Sequence, residues 1–163
     1  MVQEQYWKEL FQLKLHVGYI ELLLEGSEWV DRIIKIVLAV TSSASIAAWA
    51  VWQEHALVWA FIIAISQVLT AVNPFLPYRD RIKAYSALSH ELEEILIQAE
   101  FKWHSIASGN LTEEEINQAR FEVRSQKQKS LKKHTGSSTI PFKEKLHKKA
   151  DSNARVYFST FYS

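Results

Sequence analysis

The chain has 163 residues, 48% of them hydrophobic, which allows either one domain with a modest core or a membrane hairpin with appendages. It has no cysteine, so disulfide frameworks, thiolate metal sites and thiol nucleophiles are excluded. The net charge of +1 hides an asymmetry: residues 1–119 carry eight basic against fifteen acidic side chains, net −7, and residues 120–163 carry eleven against three, net +8. Two such blocks are suited to attract each other, or the basic one to face an anionic partner.

The opening MVQEQYWKEL lacks a basic stretch followed by an apolar one and a small-residue cleavage site, so no removable signal peptide is expected. Tyr6, Leu10, Leu13, Val17, Ile20 and Leu24 alternate spacings of four and three, the seam of an amphipathic N-terminal helix over residues 1–26, with Gly18 interrupting it. Gly26-Ser27 is expected to end that helix, Ser27 capping the next one.

Residues 27–78 read as a transmembrane helical hairpin. Ile33 to Trp52 is a run of twenty residues whose one charge, Lys35, sits near the start, where its stem can snorkel; Ala56 to Val72 adds seventeen uncharged residues before Asn73-Pro74 and Pro77 break the chain. A single helix through both would be roughly 60 Å long, twice the hydrocarbon core, and would strand Glu54 in lipid. A turn at Gln53 to His55 avoids both difficulties. It also places Trp49, Trp52 and Trp59 near one interface and Trp29 with Tyr78 near the other, as aromatic belts require. Arg32 and Lys35 precede the first span, Arg79, Arg81 and Lys83 follow the second, and the turn has no basic residue, so both termini are expected on the cytoplasmic side. The rival reading is a hairpin buried in a soluble helical bundle.

Residues 79–163 read as a cytoplasmic helical region. Tyr85, Leu88, Leu92, Ile95, Ala99 and Ile106 repeat the rhythm of the first seam, with Lys102 filling the missing position, and two such seams invite pairing. Gly109 in Ser108-Gly109-Asn110 suits a left-handed helix end, and Thr112 with Glu115 carries the signature of a capping box. Thr135 to Pro141 is the clearest loop. In the last segment Leu146, Ala150, Ala154, Tyr157, Phe158 and Phe161 share one face, with Lys145, Lys148, Lys149 and Arg155 opposite, an arrangement that fits docking on the acidic helices or lying on anionic lipid.

Polar residues inside the apolar runs are the candidate functional positions. Ser66, Gln67, Thr70 and Asn73 recur at helical spacing on the second span, and Thr41, Ser42, Ser43 and Ser45 give the first a polar middle. They can pack helices through hydrogen bonds, aided by the small residues Ala39, Ser43 and Ala47, or line a water-filled path through several hairpins. Catalytic patterns are absent: four glycines form no phosphate loop or nucleophile elbow. His90-Glu91 begins a zinc-protease motif, but Glu94 stands where a second histidine is needed, so the pair reads as solvated helix surface; His16, His104, His134 and His147 are scattered. Asn110-Leu111-Thr112 matches a glycosylation sequon and reads as a helix boundary. No cofactor and no nucleic-acid partner are expected.

The tight hairpin, the NPFLPYRDRIKAY exit into a long helix, SGNLTEEEI and the terminal KADSNARVYFSTFY resemble the SLATT domain family, two-transmembrane effectors associated with nucleotide-sensing systems of bacterial conflict. The resemblance covers about 30–163. It implies a non-enzymatic protein of the bacterial inner membrane that homo-oligomerises and forms a pore or disrupts the bilayer in antiviral defence, with a cyclic nucleotide or sensor protein as its signal. The alternative is a membrane-anchored helical scaffold that tethers a partner protein.

Overall fold

In the computed structural model, which describes residues 2–51, 56–75, 78–136 and 139–162, every regular element is helical. In chain order these are α1 (Val2–Val51), α2 (Ala56–Val72) with a 3-10 turn at Asn73–Phe75, α3 (Tyr78–Ala107), α4 (Glu113–Thr135) and α5 (Glu144–Phe161). The side chains of 41–51, 56, 59 and 78 lie outside the described set, as do Gln53 to His55, where a turn is expected.

The chain divides into two units, one formed by Met1–Leu24 with Lys83–Ser163, the other by Glu25–Ile82. Both seams lead into the core of the first. Tyr6, Leu10, Leu13, Val17 and Ile20 of α1 are buried, as are all six seam residues of α3 from Tyr85 to Ile106, while Leu24 is only partly covered. Apolar residues at three- and four-residue spacing form one stripe, and each stripe covers the other's apolar area. Ile116, Ala119 and Val123 of α4 and Ala150, Ala154 and Phe158 of α5 complete the core. The small Ala150 and Ala154 allow close approach: a Cβ built at Gly18 would meet that of Ala150 at 3.9 Å. Phe158 lies in a ring cluster with Trp7, 4.8 Å between centroids, and Trp7 meets Trp103 at the same distance. Phe161 is exposed, with its ring 4.9 Å from that of Tyr157.

Ends and connections follow local chemistry. Gly109 has φ +72°, the left-handed region a helix end favours. Thr112 and Glu115 form the expected capping box, Thr112 N–H donating to the Glu115 carboxylate at 2.7 Å and Glu115 N–H to the Thr112 hydroxyl at 3.3 Å. Two expectations need correction. α1 runs unbroken through Gly26 and Ser27, both within the Val2–Val51 helix. A mid-helix glycine costs only about 1 kcal/mol, which the helix-forming residues on either side outweigh. Thr135 belongs to α4, held by a bond from its hydroxyl to the Leu131 carbonyl; the loop starts at Gly136, φ +55°.

Charge pairing ties α4 to its acidic neighbours. Glu9 of α1 meets Arg124 at 3.5 Å and Lys127 at 3.7 Å, and Arg120 donates to Gln5. Glu91 of α3 accepts from Lys133 at 3.0 Å and pairs with His134. Glu91 is therefore a tertiary anchor rather than a merely solvated surface residue, because α4 brings two bases to it. Its neighbour His90 is exposed, 4.0 Å from Glu93.

Among the described residues no single helix is long and apolar enough to cross a membrane. α2, with seventeen residues, would be about 26 Å long against a hydrocarbon core of about 30 Å. Ala60–Phe75 with Arg79–Ala107 meets the length and composition requirement as a bent pair.

Candidate functional site

Not one described residue from 25 to 82 is buried. Its large apolar side chains face outward: Leu57 is 80% exposed, Phe61 71%, Val68 62% and Phe75 83%, and Trp29, Ile36 and Val40 of α1 are at least half exposed. Monomeric soluble proteins rarely show contiguous apolar patches above a few hundred Å². At the charged end of this unit Arg79 Nε lies 3.9 Å from Asp31, which also pairs with Lys35, so the chain that leaves at residue 31 returns there at residue 79.

Ser66, Gln67 and Thr70 follow the helical repeat of α2, and Asn73 opens the 3-10 turn after it. Ser66 and Asn73 are half-buried, Gln67 and Thr70 exposed. The Thr70 hydroxyl donates to the Ser66 carbonyl at 2.8 Å, which satisfies its donor within the helix and leaves oxygen lone pairs for a neighbour or water. Thr41, Ser42, Ser43 and Ser45 lie within α1, with side chains outside the described residues.

The basic face of α5 is exposed at all four positions, but two of its charges are engaged on their own helix. Lys148 pairs with Glu144 at 2.7 Å and Arg155 with Asp151 at 2.8 Å, each one turn away. That pairing with Asp151 also raises the pKa of the Arg155 guanidinium. Lys145 and Lys149 have no ion pair among the described residues, so the face carries less free positive charge than its four cations suggest.

A second feature combines residues that sequence spacing does not connect. A cavity of about 360 Å³ is lined by Leu15, His16, Tyr19 and Ile20 of α1, Leu92 of α3, Lys127 and Leu131 of α4, Ile140 and Phe142 of the strap before α5, and His147 of α5. The Tyr19 hydroxyl closes one side of it: it donates to the Pro141 carbonyl and accepts from Lys143 N–H, each at 2.7 Å, bracketing Phe142. His16 Nδ1 lies 2.6 Å from the Gln12 carbonyl, an acceptor only, so Nδ1 carries the proton. Burial holds the His16 pKa below its ordinary value, and the nearby Lys127 charge adds to this. Burial likewise lowers that of Lys127, against the opposing pull of Glu9. His16 and His147, scattered in sequence, thus meet at one cavity; the only sequence signal is a polar residue set directly beside a buried seam.

Among the described residues no group of three or more His, Asp or Glu side chains is placed to hold a metal ion. In comparisons with known proteins, no family model, no curated protein and no solved structure matches the chain.

Proposed function

We propose that residues 25–82 are embedded in a bilayer as a helical hairpin, that several copies assemble there, and that the assembly forms a pore or disrupts the membrane under control of the other unit. The observation that carries this reading is the contrast between the units. Segments 1–24 and 83–163 build a full core, whereas 25–82 buries none of its described residues and presents Leu57, Phe61, Val68 and Phe75 outward. Such a surface is stable against lipid or against further copies, and unfavourable in water at about 25 cal/mol per Å². The return of the chain from Asp31 to Arg79 supports a hairpin, and Arg32, Lys35, Arg79, Arg81 and Lys83 at that end support a cytoplasmic placement for both termini. Because α3 spends its apolar seam on the core of the first unit, the bent pair it makes with α2 is a poorer span than the two runs on either side of Gln53 to His55. The resemblance to SLATT effectors of the bacterial inner membrane, signalled by a nucleotide or a sensor, agrees with a non-enzymatic role in defence.

Two helices cannot enclose a channel, so conduction requires a homo-oligomer in which Ser66, Gln67, Thr70 and Asn73 either meet water or join protomers. Purified protein in liposomes is expected to release dye, and Gln67→Leu with Thr70→Val to lower planar-bilayer conductance while the crosslinked oligomer persists. Loss of the oligomer would assign these residues to packing instead. Liposomes that stay sealed with inserted protein, with and without cyclic nucleotides, would favour a membrane-anchored scaffold.

A further inference from the structure

We propose that the cavity between α1, α4, the strap and α5 is a binding site for a small aromatic anion, a carboxylate or phosphate ester carried on a flat ring. Its size is at the lower end of the range of small-molecule sites, enough for one ring system with its acidic group and too small for a lipid with two acyl chains. The walls divide by chemistry. Leu15, Ile20, Leu92, Leu131 and Ile140 give it an apolar floor. Tyr19, Phe142 and His147 form a set of rings at its mouth, with His147 5.4 Å from Phe142 and 6.0 Å from Tyr19, an arrangement into which another ring fits by edge or offset contact.

The polar groups are basic. Lys127, His16 and His147 line the cavity and no carboxylate does. Glu9, the acid nearest Lys127, is 3.7 Å away and shared with Arg124, so the ammonium keeps donors for a further acceptor. Lys127 is the charged donor at the site, and because the His16 Nδ1–H is bonded to Gln12, His16 donates to a ligand only once Nε2 is protonated as well, a form that a bound anion favours. Such an anion would also offset the burial that now disfavours the charged forms of His16 and Lys127. Phe142 is 71% exposed, and Tyr19 fixes its position through the residues on both sides of it, so its ring stands open to a ligand at the cavity. This inference does not rest on the membrane reading, since every lining residue belongs to the unit formed by 1–24 and 83–163.

The test is NMR of the full chain in detergent micelles with isotope-labelled histidine, titrated with phenyl phosphate, inorganic phosphate and benzyl alcohol. Phenyl phosphate is expected to shift His16 and His147 saturably and to bind at least about tenfold more tightly than either control. Lys127→Gln should weaken it about tenfold, the loss of one charge-assisted bond, and Lys132→Gln, on the exposed side of α4, should not. Phe142→Ala removes a side chain that is largely in solvent and keeps the fold; it should weaken phenyl phosphate and leave inorganic phosphate unchanged. Equal binding of phenyl phosphate and inorganic phosphate, or full affinity in both Lys127→Gln and Phe142→Ala, would overturn the proposal.

Discussion

A carboxylate that receives bonds from two bases on a neighbouring helix stays ionised far into acid, and Glu91 is in that position. The hydrogen bond from His134 is the main cause, with those from Lys133 and the buried Ser130 behind it, and together they hold Glu91 down to about 2 from an ordinary 4.5. A carboxyl depressed on folding stabilises the fold fully above its unfolded pKa and loses that contribution as pH falls toward its folded one. Glu91→Gln is therefore expected to destabilise the protein by about 1 kcal/mol at neutral pH, a value reduced by partial solvent screening. The deficit should shrink between pH 4.5 and pH 2 and vanish below. Thermal melts of both proteins in mild detergent across that range check it; a deficit that persists at pH 2 would assign the effect to packing instead.

At the level of helices, the close pairing of α1 with α5 turns on Gly18. An added Cβ would make ordinary contact with Ala150 at 3.9 Å, so Gly18→Ala should raise helix propensity without forcing the helices apart, stabilising by about 0.5–1 kcal/mol. Gly18→Leu should instead displace α5 and expose Phe158. Melting temperature and hydrogen exchange across α5 separate the two outcomes. Elements of this kind were legible wherever a local rule governed them. The α3 seam from Tyr85 to Ile106, the Thr112–Glu115 box and the Gly109 helix end all stand where spacing and capping place them, because each is settled by residues within a turn or two. Gly26-Ser27 misled for the same reason: a local breaker signal was outweighed by the helix on both sides. Of the candidate positions, the polar residues of α2 were visible as a helical repeat, but the cavity was not. Its lining comes from four helices and the strap, and only the packing of α1, α3, α4 and α5 gathers those residues.

For the molecule as a whole, the opposed charges of its two blocks find a physical use within the first unit, where Glu9 and Glu91 receive the bases of α4. The proposed topology has a direct consequence for chemical access: a cysteine replacing Glu54 should react with a membrane-impermeant maleimide in intact cells, and one replacing the exposed Asn153 of α5 should react only after permeabilisation. Labelling of Asn153→Cys alone in intact cells would reverse the orientation. The unit made from Met1–Leu24 and Lys83–Ser163 is also discontinuous in sequence, and this matters in time. Tyr6 bonds to the carbonyl of Ala99, and Tyr19 to Pro141 and Lys143, more than a hundred residues downstream of it. During synthesis at about 5–20 residues per second, the first seam waits on the order of ten seconds for the helices that cover it. All of 25–82 leaves the ribosome in that interval. Under the proposed topology, an apolar segment that emerges before the core of the other unit can close has a head start toward the bilayer, so the order of the chain would favour insertion before folding.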